Sequence, residues 1–194
     1  MLIYTTQMQT KNRKKNHLLL KALLIAWCAG AFAYSAQPLG NNSKYDFFHT
    51  FSGSLVTELA IAKKENKTGL MLFFGTEHCR FCQRMKATVF TQPSVQQFFR
   101  QHFQVIDIDI ESKQRLSNAH NDNISYATLA KDHRVRLTPT LIFIDLQGEP
   151  LYRQVGIVAD PLEFIWLGEY ISTEQMNRQS FAAFKKNKRR SQQP

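Results

Sequence analysis

Four segments of the chain have the length and composition of β-strands. GLMLFFG (69–75) is a continuous apolar run, which is typical of a strand buried on both faces. FQVIDIDI (103–110) is rich in β-branched residues and predicts the next strand. LIFID and PLYRQVG lie on either side of Gln147-Gly148 and predict a hairpin over 141–156.

Helical spacing of apolar residues predicts the elements between these strands. In SLVTELAIAKKENK (54–67), Leu55, Leu59 and Ala62 share one face, and Ser52 or Ser54 can cap the helix. The other predicted helices are RMKATVF (84–90), SVQQFFRQHF (94–103) after Pro93, YATLAKDHRV (126–135), and DPLEFIWLGEYI (160–171) with Pro161 at its first turn. Residues 37–51 and 111–125 are polar and predict loops.

The order of these elements predicts an α/β fold with a mixed central sheet. The first two strands are joined by helices, which favours a parallel pair, whereas the last two form an antiparallel hairpin. Helices are expected on both faces of the sheet. The expected organisation is one domain over residues 37–174, preceded by residues 1–36 and followed by a basic, flexible tail over 175–194.

The charge lies at the two ends of the chain. The net charge of the 194 residues is +10, but residues 1–36 contain five Lys or Arg and no acid, and residues 175–194 contain six and no acid. The intervening body is therefore close to neutral. This distribution argues against a basic face that binds nucleic acid, and we expect no nucleic-acid partner.

The first 36 residues have the pattern of an export signal. Basic residues 11–15 precede a largely apolar segment, and Ala31-Phe32-Ala33 fits a cleavage site. The uninterrupted apolar run, 22–36, is shorter than the ~20 residues of a comfortable membrane span. A cleaved signal peptide is favoured over an N-terminal membrane anchor. Either one predicts that the rest of the chain lies in the periplasm.

The candidate chemistry lies in Cys79-Arg80-Phe81-Cys82, between the first strand and a helix. The third cysteine, Cys28, falls within the export segment, so no framework of structural disulfides is expected. Cys79 and Cys82 can be a redox pair, part of a metal site with His78, or two thiols that are near each other by chance. A metal needs about four ligands and the stretch offers three, so the redox pair is favoured and neither metal nor cofactor is expected.

A redox role needs a thiolate, and the position of Cys79 provides one. Unpaired N–H groups and the helix dipole stabilise negative charge at a helix start, and Arg80 and protonated His78 add positive charge. Phe81 is expected to be exposed and to face a substrate. Cys82 follows one helical turn later, so the two sulfurs can meet. We predict that Cys79 attacks a disulfide and that Cys82 resolves the mixed disulfide.

These features resemble the thioredoxin superfamily over about residues 52–172. The resemblance rests on the C-x-x-C after a buried strand, Thr138-Pro139 opening the hairpin, Val155-Gly156 closing it, and the last amphipathic helix. It is most like the SoxW-type periplasmic thioredoxins, which share a long loop before the short helix. The other residues that carry this closer likeness are Leu129-Ala130, Val135, Thr138-Pro139-Thr140 and PLEF (161–164).

The resemblance implies a thioredoxin-like fold for residues 37–174. It also implies that Pro139 is cis and faces the cysteines, and that Thr138 and Pro139 bind an extended substrate as an added strand. Protein thiols and disulfides are the implied partners of a monomer, which a membrane electron donor would keep reduced.

Three features of thioredoxins proper are missing. Arg80-Phe81 stands in place of Gly-Pro between the cysteines, and His78 in place of the Trp before the first cysteine. The buried acid expected six positions before the first cysteine is replaced by Phe73, so the proton acceptor for Cys82 is absent or is supplied by Glu77 or water. Asp107 and Asp109 are expected to be solvated at a strand end. The histidines outside the motif, His49, His102, His120 and His133, are expected to be solvated surface residues without a role.

Three functions therefore remain open. The first is a periplasmic disulfide reductase. The second is an oxidase or isomerase, which the charge of Arg80 favours because a stabilised Cys79 thiolate makes the couple more oxidising. The third is a module that binds copper, another metal or a partner through Cys79 and Cys82 without turnover.

Overall fold

The computed structural model describes residues 47–192. These residues belong to one compact unit. The predicted export segment 1–36 and the start of the predicted domain lie outside the described residues. The helices are α1 (Leu55–Lys64), α2 (Arg80–Thr88), α3 (Pro93–His102), α4 (Tyr126–Asp132), α5 (Pro161–Ser172) and α6 (Phe181–Ser191). The strands are β1 (Gly69–Gly75), β2 (Phe103–Asp109), β3 (Arg115–Ser117), β4 (Asn123–Ser125), β5 (Thr140–Ile144) and β6 (Pro150–Val155). Over 47–192, none of the helices has the length and hydrophobicity needed to span a bilayer.

The main sheet has the predicted mixed topology. Its strand order is β2-β1-β5-β6, with β1 and β2 parallel and the other neighbours antiparallel. Every residue of β1 is buried, as its continuous apolar run predicts. Phe74 pairs with Thr140, so the start of β5 lies beside the end of β1. The segments that follow β1 and precede β5 therefore meet at one edge of the sheet.

Helices cover both faces of the sheet, which confirms the predicted fold class. Alternate residues of β1 enter two cores, because successive side chains of a strand point to opposite faces. Met71 and Phe73 pack in a core built with α2, α3, α5 and α6. Leu70 and Leu72 pack in a second core with α1 and α4. The first core is rich in aromatic rings; Phe99 and Phe164 stack with their centroids 4.2 Å apart.

The segment 111–125, expected to be a loop, contains the short hairpin β3–β4. Its turn is made by Asn118, whose side-chain oxygen accepts hydrogen bonds from the backbone N–H groups of His120 (3.0 Å) and Asp122 (2.8 Å). Leu116 is buried in the second core and fixes the hairpin to the domain. The polar residues that predicted a loop form the turn of this hairpin.

The C-terminal segment also differs from its prediction. We expected residues 175–194 to be flexible, but the structure has a 3-10 turn at Gln175–Asn177 and helix α6. Phe184 is buried beside Tyr170, and Lys185 forms an ion pair with Glu163 of α5 at 2.9 Å. The helix forms because Phe181 and Phe184 lie one turn apart and share a face, which packs against α5.

His49 is not the solvated residue that we expected. It lies along the outer edge of β2, where its backbone N–H donates to the carbonyl of Val105 (2.8 Å) and its Nδ1 accepts from the N–H of Val105 (2.9 Å). Burial, with the nearby charge of Lys67, lowers the pKa of His49 to about 4. His133 is also partly buried, against Phe74, and burial lowers its pKa. The prediction that both imidazoles are solvated is wrong, because contacts with residues distant in the sequence partly bury them.

Candidate active site

Cys79 and Cys82 form a disulfide at the start of α2, with Cα atoms 5.2 Å apart. Cys79 is the N-cap residue, and its sulfur accepts a hydrogen bond from the N–H of Cys82 at 3.1 Å. Cys79 is partly exposed to solvent, whereas Cys82 is only 1% exposed. An incoming thiol or disulfide can therefore reach the Cys79 sulfur and is kept from the Cys82 sulfur.

The three residues expected to tune the pair lie around it on the surface. His78 and Arg80 are exposed, and Phe81 is 57% exposed. Within residues 47–192, Phe81 stacks on no other ring. Its ring is thus available to a partner, although the tuning and substrate-facing roles of these residues stay predictions.

The loop before β5 presents unpaired backbone at the same edge of the sheet. The Thr138–Pro139 bond is cis, as the resemblance implied, and the carbonyl of Pro139 accepts from the N–H of Gly156 at 2.8 Å. Among the described residues, the backbone N–H and C=O of Thr138 have no hydrogen-bond partner. The exposed side chains of Leu137 and Val155 flank this loop. An extended peptide can add to it as a short strand.

An aspartate, Asp107, lies next to Phe73, the position at which the expected buried acid is missing. Phe73 is fully buried, and its parallel partner on β2 is Asp107. Asp107 forms an ion pair with Lys86 of α2, four residues and about one turn after Cys82. The expectation that Asp107 is solvated at a strand end holds only in part: its side chain is 36% exposed, but it lies inside β2 and is held in an ion pair with Lys86.

Asp107 and Lys86 open onto a surface cavity of about 250 Å³. Its other lining residues are Gly75, Thr76, Glu77, Gln83 and Asp109. A Cβ at Gly75 would lie 3.3 Å from the sulfur of Cys82, closer than nearly all such contacts. Glycine at this position lets the buried sulfur lie directly behind the wall of the cavity. Gly75 is thus shared between the contact with the Cys82 sulfur and the lining of the cavity onto which Asp107 opens.

Burial is the main influence on the proton affinity of Asp107. It raises the pKa of the carboxyl above its ordinary value of 3.8, with a smaller rise from Asp109, while the charge and hydrogen bond of Lys86 act in the opposite direction. Asp107 therefore takes up a proton more readily than a solvated aspartate. In the sequence, Asp107 is an acidic residue within an apolar strand. A role for it cannot be inferred until the register of that strand against β1 is known.

The cysteines do not extend into a metal cluster within residues 47–192. No group of three or more His, Cys, Asp and Glu side chains in this part of the chain is placed to hold a metal ion. His78, the third ligand considered from the sequence, does not complete such a group with Cys79 and Cys82.

Fold and site together define a thioredoxin-fold protein with a cysteine pair at the start of a helix. The chain belongs to the thioredoxin-like domain family, whose sequence profile matches residues 55–172. No curated protein matches the chain with significant similarity.

Two solved structures illustrate the likeness. A thioredoxin-fold protein from Helicobacter pylori superposes with a TM-score of 0.62 at 19% identity, over 76% of this chain and 95% of that one. The solution structure of a disulphide-isomerase candidate from Bacteroides thetaiotaomicron superposes with a TM-score of 0.51 at 28% identity, over 66% of this chain and 92% of that one. The first supports the fold alone.

Proposed function

We propose that this protein is a periplasmic thiol–disulfide oxidoreductase that reduces protein disulfides. One observation carries the proposal: the Cys79–Cys82 disulfide has one accessible and one buried sulfur, and it lies at the sheet edge where Thr138 offers unpaired backbone. This arrangement suits attack by Cys79 on a substrate held as an added strand.

The reaction begins from the dithiol. The Cys79 thiolate attacks one sulfur of the substrate disulfide, forms a mixed disulfide and releases the other sulfur as a thiolate, which takes up a proton. Cys82 then loses its proton and attacks the Cys79 sulfur, which releases the second substrate thiol and closes the Cys79–Cys82 disulfide. The substrate gains two electrons and two protons, and the protein loses both.

The second step needs a proton acceptor for Cys82, and Asp107 is the best placed candidate. The carboxylate of Asp107 and the ammonium of Lys86 line the cavity behind whose Gly75 wall the Cys82 sulfur lies. Glu77 lines the same cavity but is exposed to solvent. Asp107 differs from Glu77 in its ion pair with Lys86 and in a pKa that partial burial raises, which brings it closer to the pKa of a thiol.

Reduction of insulin disulfides tests the proposal. The reduced protein should precipitate insulin chains with turnover in the presence of dithiothreitol, and Cys79→Ser should abolish the turnover. Cys82→Ser should instead accumulate the mixed disulfide with substrate, which mass spectrometry detects. A wild-type rate equal to that of dithiothreitol alone would show that the function is wrong.

An oxidase or isomerase is the second candidate. It is favoured by the position of the Cys79 sulfur, which accepts the Cys82 N–H at a helix start next to Arg80 and is thus suited to negative charge. The likeness to the disulphide-isomerase candidate from B. thetaiotaomicron points the same way. Equilibration with glutathione separates the two, because a potential near −270 mV favours a reductase and one near −120 mV an oxidase, values of roughly thioredoxin and DsbA.

The compartment and subgroup are part of the same proposal. The basic and apolar residues 1–36 support export, and the segment before α4 together with Leu129-Ala130 and Thr138-Pro139-Thr140 supports a SoxW-type protein. A membrane protein would supply its electrons, and a single chain provides the whole site. Fusion of residues 1–36 to alkaline phosphatase, which is active only after export, should give active enzyme, whereas the Lys11, Arg13, Lys14 and Lys15 to Glu variant should not.

A further inference from the structure

A second cavity lies beside α4 and the turn that follows it. Its volume is about 300 Å³. The apolar residues that line it are Ile110, Ala127, Ala130 and Val135, and the charged residues are Lys131, Arg134 and Arg136. The three charges are all positive, so the cavity combines an apolar surface with a basic rim.

The three cations have no carboxylate partner. The ion pairs formed within residues 47–192 involve other Lys and Arg residues, and none includes Lys131, Arg134 or Arg136. All three side chains are exposed. Unlike Lys185 and Lys188 of α6, which pair with Glu163 and Glu169, these charges are free to meet an external anion.

The backbone that carries the rim is held by hydrogen bonds. Arg134 ends the turn after α4 with a left-handed φ of 52°, and its N–H donates to the carbonyl of Lys131 at 2.8 Å. The guanidinium of Arg153 on β6 donates to the carbonyls of His133 and Arg134. The N–H of Val135 donates to the carbonyl of Ala130 at 2.8 Å. The cavity is therefore shaped by the fold rather than by mobile side chains alone.

The cavity is connected to the cysteine site through Ile110, whose N–H donates to the carbonyl of Gly75 at the end of β1 at 3.0 Å. Ile110 follows the carboxyl end of β2, which is parallel to β1 and so lies at the same sheet edge as the segment leading to Cys79. Arg136 is three residues before Pro139. At about 3.3 Å per residue, a few residues of extended peptide suffice to connect Thr138 with the basic rim.

We infer that this cavity binds an acidic segment of the protein substrate, next to the cysteine that exchanges with Cys79. The inference rests on the proposed function and adds the class of substrate. Carboxylates of the segment would meet Arg134, Arg136 and Lys131, and an apolar residue between them would contact Val135 and Ala130. Complementary charge of this kind acts on recognition and association more than on the chemical step.

Matched disulfide peptides test the inference. One cysteine peptide is made in three forms, with Glu, Gln or Lys at the positions two to four residues from the cysteine, each as its mixed disulfide with 2-mercaptoethanol. Exchange with the reduced protein oxidises Cys79 and Cys82 to their disulfide and releases the peptide thiol and 2-mercaptoethanol. The measured quantity is kcat/KM for each form at low and high salt.

We expect the wild-type protein to prefer the Glu form over the Gln form by about 5- to 10-fold, and the Gln form over the Lys form, as a few partly screened ion pairs would give. The preference should shrink in 0.5 M NaCl. Arg134→Gln with Arg136→Gln should bring the Glu-to-Gln ratio to about 1. The matched control, Lys63→Gln with Lys64→Gln, removes the same charge from exposed positions at the end of α1, next to the start of β1, and should keep the preference.

The outcomes are distinguishable. Equal, measurable rates for the three peptides in the wild-type protein would overturn the acidic-segment inference and leave the oxidoreductase function standing. A preference that survives in the Arg134 and Arg136 variant would also overturn it, because Arg80 and Arg84 would then be its source. If none of the three peptides reacts with the dithiol, the proposed function itself fails, and the inference with it.

Discussion

Strand β2 carries polar side chains to both faces of the sheet, and the two resulting clusters differ in how completely they are paired. On the face of α1, Gln104 accepts from the ammonium of Lys67 at 2.8 Å and donates to Glu58 at 2.8 Å. Glu58 also accepts from the N–H of Ser52 at 2.9 Å, and Lys67 pairs with Glu65 at 2.8 Å. We call Glu58, Gln104 and Lys67 the buried network.

On the opposite face, Asp107 has one cationic partner, Lys86, and faces a cavity. Glu58, Gln104 and Lys67 are at most 6% exposed and are bonded to one another through Gln104, so their groups hold α1 and the entering chain against the sheet. The pair of Asp107 and Lys86 retains access to solvent and to the region of Cys82. A fully paired cluster thus fixes the structure, whereas a partly paired one beside a cavity is able to exchange a proton.

The largest expected effect is on the buried network. Glu58→Ala should lower the free energy of unfolding by about 2–3 kcal/mol, because it leaves the buried amide of Gln104 without its acceptor and removes the hydrogen bond to the N–H of the exposed Ser52. Glu58→Gln keeps one acceptor and should cost about half as much. Denaturant unfolding measures both. Equal stability of Glu58→Ala and the wild type would contradict a structural role for the network.

The next effect concerns Asp107. Asp107→Asn should slow the resolution of the mixed disulfide by about 100-fold, the lower range for loss of an acid–base group, and change stability by less than about 1 kcal/mol. In the wild type the resolving rate should fall as the pH drops through the raised pKa of Asp107, because protonation removes the acceptor. This fall should be absent from Asp107→Asn.

Rapid acid quenching of the mixed disulfide measures that rate. The matched control is Glu77→Gln, which removes an exposed carboxylate from the same cavity and should leave the rate within about twofold, since a solvated carboxylate is a poor match for a thiol. If Glu77→Gln slows resolution more than Asp107→Asn does, Glu77 is the acceptor and the contrast between the two faces of β2 does not hold.

His49, which contacts Lys67 at the end of the buried network, should make stability depend on pH. Its pKa falls from 6.5 to about 4 in the folded protein, so between these values the unfolded chain binds more protons. Stability is therefore lost as the pH falls from 6.5 to 4, by about 1–2 kcal/mol after allowance for partial exposure. His49→Gln should lack this part of the loss, leaving the smaller contribution of His133, and the exposed His120→Gln should retain all of it, as measured by urea unfolding at both pH values.

The smallest effect is expected at the surface. Glu163 pairs with Lys185 and Arg189 and so links α5 to α6. Glu163→Gln should lower stability by about 0.5–1 kcal/mol, and the difference from the wild type should diminish at high salt, because exposed ion pairs are weak and screened. A salt-independent loss would show that packing of Phe184, rather than charge, attaches α6.

The four strands of the main sheet and the cysteine pair were predictable from the sequence because their signals are local, whereas β3 and β4 were not predicted. The apolar run of β1 and the Gln147-Gly148 turn each identify an element without reference to the rest of the chain, and the two cysteines lie one helical turn apart. Asp107 could not be recognised in the same way. Its meaning depends on its register opposite Phe73 and on α2 packing over it, and neither is a property of neighbouring residues.

The C-terminal helix and the partial burial of His49 were also not predictable from neighbouring residues. The residues after 175 have the basic composition of a solvated tail. Phe181 and Phe184 nevertheless pack against α5, and composition alone does not predict that contact. His49 is a polar residue in a polar segment, but it is buried by its pairing with Val105, 56 residues away.

By itself the sequence determined the order of the main elements, the mixed sheet and the position of a cysteine pair at a helix start, because periodicity and turn chemistry act over a few residues. Only the tertiary structure decided which cysteine is accessible, which acid stands near the other, and which cations remain unpaired next to Thr138. Burial and pairing are set by residues far apart in the chain, and they determine the proton affinity and charge on which the chemistry depends.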